Sequence, residues 1–147
     1  MLALMFQVGA DRVAVDVRRV QEVVPRVRLI PASRAPDWLS GVFVYRGRVV
    51  PVVDLHRLAG FGECPPHLSS RIILVPYPGG TDQLVGLLAT QVAEIRELSL
   101  GPASTTAKTG YGPPQADGNG TLRLLDPDRL LAQVDLSSVA PQPESDL

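Results

Sequence analysis

The chain repeats part of its own pattern at a constant offset of 72 residues. Two separate blocks share this offset, which is harder to obtain by chance than a single match. In the first block the matched pairs are Val13 and Val85, Val15 and Leu87, Val20 and Val92, Glu22 and Glu94, and Val23 and Ile95. In the second block they are Val50 and Leu122, Val52 and Leu124, Val53 and Leu125, Asp54 and Asp126, Arg57 and Arg129, and Leu58 and Leu130. The repeat predicts two copies of one small β unit, packed about a pseudo-twofold axis with a binding groove between them.

The most regular stretch lies between Gly41 and Leu58. Valines alternate with aromatic residues before Arg46-Gly47, and a second apolar run rich in β-branched residues follows. This pattern predicts two strands joined by a two-residue turn, in which Gly47 accepts a positive φ and Arg46 extends its charge into water. Because Pro51 cannot donate a ladder hydrogen bond, we expect the second strand to lie at a sheet edge or to carry a bulge.

Other apolar runs predict further strands near residues 2–8, 13–17, 28–31, 72–75, 84–89 and 122–125. Two groups have helical spacing instead and predict short helical turns: Val17, Val20 and Val24, and later Val92 and Ile95. Asp126-Pro127 predicts the N-cap and first residue of a helix that ends near Val134. Residues 78–82 predict a turn, residues 100–120 a long exposed loop, and the final residues a frayed tail.

The composition limits the possible functions. The 147 residues are 45% hydrophobic and 20% charged, which is typical of one globular domain. A net charge of −1 gives no electrostatic signature for nucleic acid or an anionic membrane. The single Cys64 excludes an internal disulfide, and no apolar run is long enough to span a bilayer. We therefore expect a cytoplasmic protein without a nucleic-acid partner and without direct membrane insertion.

The short strands and frequent turns favour a closed or nearly closed antiparallel sheet. The segment RGRVVPVVDL, residues 46–55, resembles the RGxxxPxxDL signature of the CheW family, the coupling proteins of bacterial chemotaxis. The resemblance extends over residues 2–134 through Val20-Gln21-Glu22-Val23, Gly41, GLLATQVAEI from Gly86 and LLDPDRLL from Leu124. It implies a mainly β fold of two SH3-like five-stranded β barrels related by a pseudo-twofold axis, with short helices including one near the C-terminus.

The resemblance also implies an organisation and a role. Residues 1–134 would form one domain of two intertwined β-barrel subdomains, and residues 135–147 a flexible tail. The protein would have no catalytic activity, cofactor or metal, and would act as an adaptor between chemoreceptor cytoplasmic tips and the regulatory domain of a CheA-type histidine kinase. The family positions that affect partner binding correspond to Val20, Glu22, Gly41, Arg46, Gly86 and Ile95.

The residues themselves suggest how such a surface works. We expect apolar anchors such as Val20, Val44 and Ile95 to dominate recognition, while charges set register and association rate. Glu22 and Arg46 have opposite charges and can pair with each other or each with a partner; an exposed pair is worth roughly 0–1 kcal/mol. Thr90 replaces the aspartate usual in the family, so an alternative is a divergent member that binds only receptor or only kinase.

Two other classes of function compete with this interpretation. His56, Cys64 and His67, with Asp54 nearby, are residue types that bind zinc, but their spacing is irregular and we expect ordinary surface residues. A generic SH3-like module would bind an unrelated peptide in an aromatic-lined groove. With three Phe, three Tyr and one Trp, the chain offers few residues for such a groove.

Overall fold

The computed structural model describes residues 1–32, 34–78, 82–99, 110–116, 118 and 120–136. Within these residues the fold is mainly β, as predicted, with nine strands and two short α-helices. The strands are β1 Leu2–Val8, β2 Asp11–Asp16, β3 Glu22–Pro25, β4 Leu39–Tyr45, β5 Arg48–Asp54, β6 Arg71–Pro76, β7 Leu84–Glu97, β8 Gln115–Ala116 and β9 Thr121–Leu124. The helices are α1 Leu55–Leu58 and α2 Pro127–Leu131, and a 3₁₀ turn spans Val17–Arg19.

Hydrogen-bonded pairing arranges the strands in two series that share β7. The first series runs β3-β6-β7-β5-β4, and the second runs β7-β1-β2-β9-β8. Each series therefore contains five strands. Among the described residues the path of paired strands does not close on itself. The hydrogen-bonded pairing therefore does not show the closed sheet that the sequence predicts.

The two series repeat one register at the predicted offset. In the first, β5 and β7 pair in parallel with Val52 opposite Gly86. In the second, β2 and β9 pair in parallel with Ala14 opposite Leu124. Gly86 follows Ala14, and Leu124 follows Val52, by the same 72 residues. The sequence repeat is therefore also a repeat of strand pairing.

Equivalent aspartates begin the two helices. The carboxylate of Asp54 accepts hydrogen bonds from the backbone N–H groups of His56 and Arg57 at the start of α1. The carboxylate of Asp126 does the same for Asp128 and Arg129 at the start of α2. Both helices are one turn long, so the caps satisfy a large share of their free N–H groups.

The longest strand, β7, contradicts one prediction. The chain remains extended throughout Leu84–Glu97, so the helical turn predicted around Val92 and Ile95 is wrong. The first part of β7 pairs with β5 and β6 and the second part with β1, with a register shift beside Gln91, whose φ is 52°. Ile95 pairs with Leu4 of β1, and the N–H of Val92 donates to the backbone oxygen of Ser69. Partners distant in sequence therefore decide the conformation of these β-branched residues.

The helical turn predicted from Val17, Val20 and Val24 is only partly confirmed. A 3₁₀ turn forms at Val17–Arg19, but Val24 belongs to β3, which pairs with β6. The strand predicted at residues 28–31 is reduced to an isolated bridge between Ile30 and Val42. Again a partner strand distant in sequence determines the outcome.

Pro51 does not mark a sheet edge. The strand β5 pairs with β4 on one side and with β7 on the other, so the edge prediction is wrong. The irregularity lies on the opposing strand β4, where the register shifts between Leu39 and Gly41. The parallel pairing with β7 begins only at Val52, one residue after Pro51, so the proline precedes that ladder.

Three clusters of buried side chains form the core. The largest draws on both series and includes Leu4, Phe6, Leu39, Val53, Ile73, Leu87, Leu125 and Leu130. A smaller cluster belongs to the first series and includes Phe43, Val50, Val52, Ile72 and Leu74. Another belongs to the second series and includes Ala3, Met5, Ala14, Leu122 and Leu124. Each series therefore has its own core cluster, and both series contribute to a third.

Several predictions concern residues that the structure does not describe. The turn at 78–82 falls partly, and the tail at 135–147 mostly, outside the described residues. The loop predicted at 100–120 is described only at 110–116, 118 and 120, and β8 lies within it. No described helix is long and apolar enough to cross a membrane.

Candidate partner-binding surface

The tip of the β4–β5 hairpin presents a guanidinium group to solvent. Arg46 and Gly47 have φ angles of 50° and 81°, as in a tight type I′ turn. The predicted two-residue turn is confirmed. The Arg46 side chain is 72% exposed, so two paired strands carry it to a position that another protein can reach.

Two neighbours orient this guanidinium. Nη2 of Arg46 lies 3.3 Å from Oε1 of Glu22 on β3, and the guanidinium carbon lies 5.1 Å from the centre of the Tyr45 ring. The same carboxylate accepts a hydrogen bond from the Tyr45 hydroxyl. This bond is the main reason that the pKa of Tyr45 is raised, and desolvation of the hydroxyl is the second. Of the two arrangements left open by the sequence, the structure shows Glu22 and Arg46 paired with each other.

Apolar side chains cover one face of the same hairpin. We call Ile30, Val42, Val44 and Val49 the hairpin patch. Val44 stands opposite Val49, and Ile30 is bridged to Val42, so all four share one face. Val44 is 62% and Ile30 59% exposed. One hairpin therefore carries an exposed apolar patch and, at its tip, an oriented charge, the two kinds of group that form the anchor and the polar rim of a protein interface.

A groove of about 480 Å³ opens beside the hairpin tip. Arg46 and Arg48 both line it, and the carboxylate of Asp82 lies 3.8 Å from Nη2 of Arg48. Each arginine therefore faces an acidic side chain, Glu22 or Asp82. The groove has mixed charge, which suits a protein partner better than a polyanion.

Ile95 lies in a different region from Arg46. It is 60% exposed on the second part of β7, where it pairs with Leu4. Leu2, half-exposed on β1, is two residues from Leu4 and shares its face. We call Leu2 and Ile95 the strand-end patch. Val20, which follows the 3₁₀ turn, is partly buried against the main core.

The two predicted glycines are buried. Gly41 has a φ of 144°, and a Cβ there would lie 2.7 Å from the carbonyl oxygen of Ile30. At Gly86 a Cβ would lie 2.5 Å from Cγ2 of Ile72. Neither position offers a side chain to a partner. Their predicted role in binding stays a prediction, and it would act through the shape of the hairpin and of β7.

The predicted groove between the halves is present as a second cavity. It has a volume of about 440 Å³ and lies between α1 and α2. Leu58 and Leu130, which are equivalent in the repeat, both line it. The seven predicted binding residues lie elsewhere. We call Arg46 and the hairpin patch together the hairpin surface, and the cavity is separate from it and from the strand-end patch.

The zinc hypothesis finds no support among the described residues, where no three His, Cys, Asp or Glu side chains are grouped to hold a metal. His56 and Cys64 are buried, so their expected place on the surface is wrong. A ring nitrogen of His56 accepts a hydrogen bond from the N–H of Gly9 at 3.3 Å. Burial raises the pKa of the Cys64 thiol to about 11, which disfavours the thiolate that binds metal.

Sequence reasoning missed Tyr45 and the contact made by Thr90. The alternating pattern marks Tyr45 only as one step of a strand, and the sequence signal for its contact is an aromatic residue directly before a turn arginine. The hydroxyl of Thr90 donates a hydrogen bond to the backbone oxygen of Gln7 at 3.2 Å. The position that departs from the family therefore still has a polar contact.

The CheW-like domain family matches residues 2–136. Protein FrzA of Myxococcus xanthus is 33% identical over 141 residues, which cover 92% of this chain and 88% of that protein. Chemotaxis protein CheW of Rhizobium meliloti strain 1021 is 27% identical over 141 residues, covering 96% of this chain and 88% of that protein. The crystal structure of scaffolding protein TtCheW from Thermoanaerobacter tengcongensis matches with a TM-score of 0.73 at 22% identity, covering 88% of this chain and 86% of that one.

Proposed function

We propose, because the chain belongs to the CheW-like domain family of chemotaxis coupling adaptors, that it joins two signalling proteins in the cytoplasm. One is the regulatory domain of a CheA-type histidine kinase, and the other is the cytoplasmic tip of a chemoreceptor. The adaptor carries out no chemical step of its own. It holds both partners in one assembly, so that a small movement of the receptor changes the activity of the kinase.

The hairpin surface is the observation that carries this proposal. Arg46 projects from a tight turn while Glu22 and Tyr45 fix its direction. Because the guanidinium is already oriented, the Arg46 side chain loses little conformational entropy when a partner contacts it. The adjacent hairpin patch supplies apolar area, and burial of such area provides most of the free energy of association.

A coupler needs a second surface, and the strand-end patch is the candidate. Ile95 lies in the strand series that is built on β1, whereas Arg46 lies at the hairpin of the other series. Two patches on different series can bind two partners at the same time. This separation supports a coupling role over a role in binding a single protein.

We further propose that each five-stranded series is one SH3-like barrel and that both form a single domain over residues 1–134. The support is the repeated register and the presence of a separate core cluster in each series. The exchange of strands supports the intertwined arrangement, because β3 of the first half of the repeat pairs with β6 of the second half, and the equivalent part of β7 of the second half pairs with β1 of the first.

Calorimetric titration with each partner tests the coupling proposal. Val44→Asp places a charge in the hairpin patch, and Ile95→Asp places one in the strand-end patch. Each change should weaken one association by about tenfold or more and leave the other nearly unchanged, since anchors at separate surfaces act independently. Leu68→Asp is the matched control, because Leu68 is 95% exposed and belongs to neither patch.

Three results would change the proposal. If both variants weaken the same association, the two patches serve one partner. If the wild-type protein binds only the receptor tip or only the kinase domain, it is a divergent member of the family. If it binds neither at micromolar concentration, the coupling function is wrong for this protein.

A further inference from the structure

The cavity between α1 and α2 gathers a large share of the aromatic residues of the chain. The sequence contains three Phe, three Tyr and one Trp. Phe61, Tyr111 and the single Trp38 all line this cavity. They come from three distant segments, so their convergence is a property of the fold. The concern that the chain has too few aromatic residues for an aromatic-lined site therefore does not apply here.

Aliphatic side chains from both halves complete the apolar lining. Leu58 belongs to α1, Leu130 belongs to α2, and Val134 lies shortly after the end of α2. The volume of about 440 Å³ falls within the range of roughly 300–1,000 Å³ typical of small-molecule sites. A ligand in this cavity would contact both helices and so bridge the two halves of the repeat.

Phe61 forms an exposed wall of the cavity. The side chain is 44% exposed although it is large and aromatic. Its ring lies directly over Gly9, where a Cβ would be only 2.3 Å from Cγ of Phe61. The glycine therefore lets the ring lie flat against the β1–β2 turn. A flat ligand can stack against such a ring without a large rearrangement.

The polar groups at the cavity determine the charge of its ligand. Asp11 and Arg123 face each other, with the guanidinium Nε 3.8 Å from the carboxylate. Arg123 also donates a hydrogen bond from Nη1 to the backbone oxygen of Gly112 at 3.2 Å. Because these charges compensate each other, a charged ligand would leave one of them unbalanced. The amide of Gln133 adds a neutral donor and acceptor.

We propose that this cavity binds a neutral, planar aromatic compound of one or two rings that carries a hydrogen-bonding group. The rings stack among Trp38, Phe61 and Tyr111, and the polar group faces Asp11 and Gln133. The proposal goes beyond the coupling function, since it needs neither of the protein partners. By contacting α1 and α2 together, the compound stabilises the arrangement of the two halves.

Indole is a suitable probe, because it is neutral and planar and has one N–H donor. In a proton–nitrogen NMR titration of the full chain, Trp38 gives the only indole N–H resonance of the protein. Unlabelled indole should shift this resonance in a saturable manner. It should also raise the melting temperature, as expected for a ligand that binds only the folded state.

Two variants and one control define the site. Phe61→Ala should weaken indole binding by about tenfold, since one stacking wall is lost. Ala59→Phe fills the cavity at an exposed lining position without removing any core side chain, and it should abolish saturable binding. Leu68→Ala, which lies outside the cavity, should bind indole like the wild type.

The proposal is wrong if indole leaves the Trp38 resonance unchanged at millimolar concentration. It is also wrong if Ala59→Phe binds indole as well as the wild type does. A proline-rich peptide titrated in parallel tests the other occupant expected of an aromatic-lined groove. Saturable shifts with the peptide and none with indole would show that the cavity binds a peptide and that the proposed small-molecule site is wrong. None of these results depends on the kinase or the receptor.

Discussion

The two halves of the repeat share one register but carry different hairpins. In the first half β4 and β5 have seven residues each, whereas in the second half β8 has two and β9 has four. At the positions equivalent to Val44 and Arg46 the second half has Ala116 and Gly118. The half with the long hairpin thus carries both the apolar anchor and the charge that the other half lacks.

The acidic residue common to both halves shows the same difference. Glu22 on β3 pairs with Arg46 at the tip of the β4–β5 hairpin, at 3.3 Å. The equivalent Glu94 pairs instead with Arg96 on its own strand, at 3.6 Å. The repeat therefore preserves the scaffold in both halves and adds a presentation surface to one. Substitutions at equivalent positions can separate the residues that maintain the scaffold from those that serve recognition.

The largest difference is expected between the two capping aspartates. Besides the first turn of α1, the carboxylate of the buried Asp54 accepts a hydrogen bond from the N–H of Cys64 at 2.9 Å. Asp54→Ala should reduce the free energy of unfolding by about 2–4 kcal/mol, because a cap is lost and a buried donor is left without a partner. Asp126→Ala should reduce it by about 0.5–2 kcal/mol, the usual range for a cap. Urea denaturation measures both, and equal losses would contradict the asymmetry.

The next contrast lies between Gly86 and Ala14. Gly86 is in close contact with Ile72, whereas the equivalent Ala14 is fully buried and already accommodates a methyl group. Gly86→Ala should destabilise the protein by about 1–3 kcal/mol through overpacking. Ala14→Gly should destabilise it by about 0.5–1 kcal/mol through backbone entropy. Thermal unfolding would show which of the two substitutions costs more stability. If Gly86→Ala left the stability unchanged, β6 and β7 would be able to move apart readily at this point.

A smaller effect is expected from pH. Burial lowers the pKa of His56, while the equivalent Asp128 in the other half is exposed. The unfolded chain, with a histidine pKa of about 6.5, then binds more protons than the folded one. The stability contributed by neutral His56 is therefore present above that pH and is lost as the pH falls below it. Unfolding curves recorded between pH 7 and pH 5 check this. The free energy of unfolding should decrease more steeply with falling pH for the wild type than for His56→Gln.

The parts of the fold that could be predicted depend on local chemistry. The Arg46-Gly47 turn and the Asp126-Pro127 helix start follow from the conformational preferences of these residues, and the repeat follows from matched positions. The extended conformation of Val92 and Ile95 depends on hydrogen bonds to Ser69 and to β1, which the spacing of apolar residues cannot show. The convergence of Trp38, Phe61 and Tyr111 on one cavity is also a long-range result, so composition alone gave the wrong impression of aromatic supply.

The smallest effect on stability concerns Arg46, although its effect on binding should be large. The pair with Glu22 is solvent-exposed, so Arg46→Glu should change the free energy of unfolding by no more than about 1 kcal/mol. The charge swap Glu22→Arg with Arg46→Glu restores an internal pair of opposite charges. These two variants separate a structural role of the pair from direct recognition of a partner by the guanidinium.

The most direct test of the hairpin surface is therefore the affinity of three proteins, the wild type, Arg46→Glu and the charge swap, for the kinase regulatory domain and the receptor tip. We predict that Arg46→Glu weakens one of these associations by about tenfold or more, as expected for an interface hot spot, and that the charge swap does not restore it. If the charge swap restored wild-type affinity, Arg46 would only support the hairpin, and the proposed recognition by its guanidinium would be wrong.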